Sequence, residues 1–229
     1  MTTWVLVHGT PLTPEIWAPV AVHLDGTVIT PDCTRVPDRR ATAELAADVA
    51  AHLPREETVH LVGHSFGGQI AIDLALTHPH AVRSLTILCS RDTPVPTFAD
   101  LADHVRAGDV PEVSSTLERW FTADELAAAG AAVQSARRAL AVATAHPANW
   151  AHALQAIAEY DRSERVGELR MPVFLHAAGH DGVSTPDAMR AFAGRIPGAT
   201  LTVHDEWAHM SPFVDPAACA RMMSDAVQP

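Results

Sequence analysis

Apolar and polar positions along this chain fall into short blocks of two different periods. Residues 3–7 (Thr-Trp-Val-Leu-Val) form a continuous apolar, β-branched run that stops at His8-Gly9 and Pro11. A run of this length bounded by breakers predicts a strand buried on both faces. Residues 13–24 change to helical spacing, with Ile16, Trp17 and Val20 on one face and Thr13 at the N-cap position. A second short strand is predicted at 27–30, closed by Pro31. A helix rich in good helix formers follows at 41–53, ended by Pro54. The pattern then predicts a strand at 58–62, a turn at 63–68, a helix at 69–76 stopped before His78-Pro79, and a fourth strand at 84–88. Strands alternating with helices imply a parallel sheet with right-handed crossovers.

The alternation breaks at about residue 92. From there to residue 170 no strand pattern appears, and helices are predicted at 98–107, 113–121, 123–145 and 149–159. Strand pattern returns at 172–176 and 200–204, with a helix near 187–194 between them and a last helix from about Pro216. The expected organisation is an α/β core made of residues 1–91 and 171–229, interrupted by a helical segment over 92–170. Repeats and low-complexity tracts are absent from the sequence, and the Ala-rich stretch 127–143 is ordinary helix composition.

Composition narrows the classes. A chain of 229 residues, 48% hydrophobic and 19% charged, suits one domain with a sizeable core. The formal net charge of -11, with no lysine and dispersed arginines, argues against a nucleic-acid partner, because phosphate binding needs basic patches. Cys33, Cys89 and Cys219 are odd in number and lack Cys-x-x-Cys spacing, so free buried thiols are expected rather than a disulfide framework or a zinc site. The N-terminus has no basic start followed by an apolar run, and no apolar stretch approaches the roughly 20 residues of a membrane span. A soluble cytoplasmic protein is the expectation.

The chemistry concentrates in three loops. Gly63-His64-Ser65-Phe66-Gly67-Gly68 lies between a predicted strand and a predicted helix. A nucleophile that protrudes from so tight a turn needs tiny neighbours, and Gly63 and Gly67 supply the room while Gly68 lets the helix pack closely. Serine is unreactive until a base takes its proton. Of 14 histidines, His209 in Trp207-Ala208-His209-Met210-Ser211-Pro212 follows the last predicted strand, on the same sheet edge as Ser65. His204, His180, His176 and His64 are weaker candidates. Asp181, in Ala178-Gly179-His180-Asp181-Gly182, follows the penultimate strand on that edge and is the candidate carboxylate for orienting the base. The chain order Ser65, Asp181, His209 fits an α/β-hydrolase. Oxyanion donors are expected from the Phe66 N–H and from Thr10 in His8-Gly9-Thr10-Pro11, since Pro11 has no N–H.

Together these residues resemble the α/β-hydrolase superfamily, in its branch with a helical cap, over nearly the whole chain. The resemblance implies Ser65 as nucleophile, His209 as base, an acid near Asp181, an oxyanion hole of Thr10 and Phe66, and no metal or organic cofactor. Most members carry two further strands before the His-Gly loop. This chain starts almost directly on that strand and so resembles the short branch of hydroxynitrile lyases and methyl esterases, with a sheet of about six strands. Many members read Gly-x-x-Asp with a proline four residues on. Alignment on Gly179 and Pro186 puts Gly182 at the acid position, whereas alignment on Ala178 puts Asp181 there at the cost of one extra residue. Asp92, at the end of the fourth strand, is the reserve acid.

The segment 92–170 would form the cap. Phe98, Trp120, Phe121 and Trp150 within it, with Phe213 near the base, are candidates to line a pocket for a medium-sized, largely apolar acyl substrate. The expected reaction is hydrolysis of a carboxylic ester, thioester or lactone through an acyl-Ser65 intermediate. The alternative is a C–C hydrolase, lyase or cyclase using the same three residues, because fold and triad do not fix the chemistry. The lysine on which hydroxynitrile lyases of the short branch rely is missing from this sequence.

Overall fold

The computed structural model describes residues 2–36, 42–54 and 57–227. Its centre is a six-stranded sheet in the order β2-β1-β3-β4-β5-β6. The strands are β1 (Thr3–Val7), β2 (Thr27–Ile29), β3 (Val59–His64), β4 (Val82–Leu88), β5 (Val173–Ala178) and β6 (Thr200–His204). All five pairings are parallel. The continuous apolar runs follow from this position. Every residue of β1 and β3 is buried, because each strand is covered on both faces.

Alternate side chains of one strand serve opposite cores. Val5 and Val7 of β1 join one cluster with Leu61, Leu85 and Ile87, while Trp4 and Leu6 join the other with Val62 and Leu88. A 3-10 turn, Pro14–Trp17, runs into the short helix α1 (Ala18–Ala21). The helices α2 (Thr42–Ala50), α3 (Phe66–Thr77) and, after the insertion, α9 (Pro186–Arg195) pack on the first face. The turn and α1, with the terminal helix α10 (Pro216–Ala226), pack on the second.

Between β4 and β5 the chain forms α4 (Thr97–Arg106), α5 (Val113–Trp120), α6 (Ala123–Ala128), α7 (Ala131–Ala145) and α8 (Pro147–Glu159). Helix α8 contributes to both cores, Ala153 and Ile157 to one and Trp150 and Leu154 to the other. The return to the sheet is anchored by Arg162, whose guanidinium makes two bonds of 2.6 and 3.1 Å to buried Asp73. No described helix is long and apolar enough to cross a membrane. Cys33, Cys89 and Cys219 are free and buried.

Three local expectations are corrected. The helix expected at 123–145 is two helices, because Ala129 adopts φ 46°, ψ 36° and Gly130 then caps α7 in an extended conformation. Residues 13–24 are mostly 3-10 turn and one short helical turn, and Thr13 makes no side-chain capping bond. The turn expected over 63–68 is tighter, since β3 runs to His64 and α3 begins at Phe66. The expected start of α2 at Ala41 lies outside the described residues.

Candidate active site

Strand order places the site. β1 has β2 on one side and β3 on the other, so the sheet reverses its winding at the β1–β3 pair, and the loops beyond their C-terminal ends flank a crevice. Those loops carry His8-Gly9-Thr10 and Ser65. Ser65 is the single residue between β3 and α3, at φ 54°, ψ -124°, a conformation that L-residues rarely adopt and that costs about 1–3 kcal/mol. The glycines permit it. A Cβ on Gly63 would lie 2.4 Å from the Gly67 carbonyl oxygen, and one on Gly67 would lie 2.3 Å from that of Val7. Ser65 occupies the N-cap position of α3 without capping it, so its hydroxyl is free to point elsewhere.

It points at His209. Ser65 Oγ lies 3.0 Å from His209 Nε2, and His209 Nδ1 lies 2.7 Å from Asp181 Oδ2. The other Asp181 oxygen accepts the Val183 and Ser184 N–H groups at 2.8 and 3.0 Å. Burial alone would raise the Asp181 carboxyl. The attraction of the His209 ring, its hydrogen bond and the two backbone donors outweigh it and hold the group below the usual carboxylate range. Asp181 is therefore an anion that fixes the imidazole with its proton on Nδ1 and its lone pair facing Ser65. The turn that presents Asp181 needs Gly179, where a Cβ would meet the Asp205 carbonyl at 2.3 Å. Gly182, the other position that alignment offered for the acid, has open space around it and no carboxylate.

Asp92 does not reach His209. Both its oxygens pair with Arg195, at 2.7 Å each, and its side chain is fully buried. Among the weaker histidines, His176 Nδ1 and His204 Nε2 are 3.2 Å apart and His204 stacks on Trp207, and neither ring bonds Ser65 among the described residues. His180 serves the turn through its backbone N–H to the Trp207 carbonyl, at 2.8 Å.

His64 has a role that spacing did not reveal. Its Nε2–H donates to the His209 carbonyl at 2.9 Å, and its ring packs 4.9 Å from the rings of both His209 and Phe213. Burial, helped by the neighbouring His209, pushes His64 down to about 3. The ring is a neutral prop under the loop that carries His209.

A second prop comes from the helical insertion. The Met210 N–H donates to the Trp120 carbonyl at 2.9 Å, and Ser211 Oγ–H to Glu125 Oε1 at 2.5 Å. Ser211 Oγ also accepts the Ala208 N–H at 2.7 Å. Glu125 is at the same time the third residue of α6, where its other oxygen accepts the Thr122 N–H at 2.7 Å in a capping box. One carboxylate thus caps a helix of the insertion and holds the loop bearing His209.

Above Ser65 lies a narrow slot of about 90 Å³ lined by Thr10, Ser65 and His209 below and by Phe98, Trp120 and Trp150 of the insertion above. Phe121 and Phe213, also expected at the pocket, are instead buried in the second core, with Phe213 edge-on to Trp17 at 4.8 Å. Their apolar character is the same whether a residue lines a pocket or fills a core, so composition did not separate them. The N–H groups of Thr10 and Phe66 find no acceptor among the described residues, and Phe66 opens α3, where the helix dipole favours negative charge.

The model of the alpha/beta hydrolase fold family matches residues 4–216. A pimeloyl-(acyl-carrier protein) methyl ester esterase of Aromatoleum aromaticum is 29% identical over 249 residues, covering 98% of this chain and 97% of the relative. Among solved structures, an enol-lactonase from Burkholderia xenovorans superposes with a TM-score of 0.89 at 20% identity, covering 99% of this chain and 92% of that one. A thermophilic esterase from Thermogutta terrifontis gives 0.86 at 23%, covering 98% and 89%. The sheet order, the strained turn at Ser65 and the family match lead to one statement: this chain belongs to the alpha/beta hydrolase fold family.

Proposed function

We propose that the protein hydrolyses carboxylic esters, with thioesters and lactones as close variants, through an acyl-Ser65 intermediate. The observation that carries this reading is the unbroken chain Ser65 Oγ, His209 Nε2, His209 Nδ1, Asp181 Oδ2, with steps of 3.0 and 2.7 Å at its two hydrogen bonds. His209 takes the Ser65 proton as Oγ attacks the acyl carbon. The tetrahedral oxyanion is met by the Phe66 and Thr10 N–H groups, which carry no competing acceptor and need no reorganisation. His209 then returns the proton to the departing alcohol. Water then attacks the acyl carbon as His209 takes its proton, the bond from that carbon to Ser65 Oγ breaks to release the acid, and His209 passes the proton to Oγ, restoring Ser65. Asp181 holds the imidazole and balances its charge while it is protonated.

In this account residues 1–91 and 171–229 are the catalytic core and 92–170 the cap. The cap closes the slot with Phe98, Trp120 and Trp150 and gives it a mostly apolar lining, with Thr116 and Arg119 as its polar members, suited to a small-molecule acyl substrate. That the relative from Aromatoleum aromaticum is named as a methyl ester esterase supports the ester reading. The test is turnover of a panel of methyl esters by wild type and Ser65→Ala. Hydrolysis by the wild type and a loss of at least a thousandfold in Ser65→Ala are expected. Equal hydrolysis by the two proteins would overturn the proposal.

A further inference from the structure

The slot over Ser65 is small. At about 10–15 Å³ for each water-sized position, 90 Å³ holds roughly six to nine positions, enough for the reacting carbonyl and one short arm. A second cavity of about 460 Å³, about five times larger, meets the slot at Thr10 and Trp150, which line both. It runs between the loop after β1, the loop after β2, and helices α7 and α8. One wall is apolar, from Leu12, Ala139, Val142 and Ala143. The polar lining comes from Thr10, Thr13, Thr34, Arg35, His146 and Asn149.

Among the described residues lining the cavity, Arg35 is the guanidinium, and His8 and His146 are the histidines. His8 is buried and held neutral by that burial, and burial pushes the Cys33 thiol up to about 12. Arg35 brings a guanidinium, a forked donor that matches carboxylate and phosphate. It enters no ion pair or hydrogen bond among the described residues. Asp32 is bonded to the Thr34 N–H at 2.9 Å and to the Thr34 hydroxyl; against its burial, those bonds and then the charges of His8 and Arg35 hold its carboxyl low, and it is not among the described residues lining this cavity. On a chain of net charge -11, a cationic wall beside the reaction slot selects for an anion where the protein as a whole repels one.

We propose that the cavity beyond Thr10 and Trp150 is the subsite for the long arm of the ester, and that Arg35 pairs with an anionic group, carboxylate or phosphate, at the far end of that arm. The proposal rests on Ser65 being the acylated residue and adds the shape and charge of the substrate: a short arm in the slot, and a long apolar arm ending in negative charge. The apolar wall accommodates the chain and Arg35 sets its reach.

The experiment compares three methyl esters of equal chain length, with a methyl, a carboxylate or a phosphate at the far end, on wild type, Arg35→Gln and Val142→Trp. Arg35 is exposed, which discounts its pairing energy, so the wild type should favour the anionic esters about five- to tenfold in kcat/KM. Arg35→Gln should abolish that preference by raising KM alone, leaving the neutral ester unchanged. Val142, 62% exposed at the cavity rim, can be enlarged without disturbing the core, and Val142→Trp should slow all three long esters while sparing methyl acetate. A preference for only one anionic ester identifies its head group as the ligand. Protection of Ser65 from a fluorophosphonate by the same esters reads occupancy of the site independently of product formation.

Wild type showing no anionic preference in turnover or protection, or Arg35→Gln weakening neutral and anionic esters alike, would overturn the subsite while leaving the ester reaction intact. Failure of the fluorophosphonate to label Ser65 would instead remove the reading on which the subsite rests.

Discussion

Replacing Asp181 by Asn tests the electrostatics of the site with a change of one atom. The geometry dictates how the amide must sit. Asp181 Oδ1 accepts two backbone N–H groups, from Val183 and Ser184, so the amide oxygen takes that side and the NH₂ faces His209 Nδ1. An N–H donor there selects the tautomer with the proton on Nε2, and His209 then offers Ser65 a proton instead of a lone pair. Losing the charge-assisted bond at 2.7 Å costs about 1.5–3 kcal/mol. Restoring the active tautomer breaks the new amide bond, about 0.5–1.5 kcal/mol, and leaves two donors facing each other in a buried place, about 1–3 kcal/mol. The sum, about 3–7.5 kcal/mol, corresponds to a fall between roughly 10² and several times 10⁵ in kcat. That range brackets the loss on the order of 10⁴ known for the same replacement in a serine-protease triad. His209→Ala should fall to a similar level, since either change removes the base. Steady-state kinetics with a methyl ester, alongside thermal melts to establish folding, reads the effect. Asp181→Asn retaining kcat within tenfold of wild type would refute the reasoning.

Asp92→Asn is the matched control: it leaves Arg195 without its carboxylate, so stability should drop by about 2–3 kcal/mol with kcat kept. Chemical denaturation and turnover measure the two halves, and a collapse of kcat in folded Asp92→Asn would reassign the acid. Glu125→Gln weakens the tie from the insertion to the loop of His209, and a three- to thirtyfold fall in kcat with little change in KM is expected, because the charge-assisted bond from Ser211 becomes a neutral one. Unchanged kcat in that variant would mean that the tie does not position His209. Stability should also fall with acid. Burial holds His64 down to about 3 and His176 to about 4, against an ordinary 6.5, so the unfolded chain binds protons that the folded one refuses. This contribution is complete above about pH 6.5 and is lost as pH drops toward the folded values, by up to about 1.4 kcal/mol per pH unit for each ring. Urea unfolding between about pH 7.5 and about pH 5 measures it, and equal stability across that interval would contradict it.

The strands were legible because parallel strands covered on both faces must be apolar throughout, as in residues 3–7. The turn at Ser65 was legible because its backbone geometry excludes a side chain at Gly63 and Gly67. The carboxylate was less so. Loop spacing left Asp181, Asp92 and an alignment on Gly182 in competition, and only the three-dimensional turn after β5 brings one of them within 2.7 Å of His209. The break between α6 and α7 was hidden because an alanine takes the left-handed conformation there, with the only written sign in the Gly130 that follows. Glu125 and Ser211 are 86 residues apart and obey no spacing rule, so the tie between insertion and base loop emerges from packing alone. The pocket divides for the same reason. Phe98, Trp120 and Trp150 face the slot, whereas Phe121 and Phe213 face the core.

Ester hydrolysis at this site passes through acylation of Ser65. Mass spectrometry of the protein mixed rapidly with a methyl ester, followed by peptide mapping, reads it directly. A transient gain equal to the acyl group is expected, confined to the peptide containing Ser65 and absent in Ser65→Ala, and any adduct formed in His209→Ala should be long-lived. An ester turned over with no acyl adduct in wild type under conditions that trap the intermediate, or with the adduct on any other residue, would contradict it.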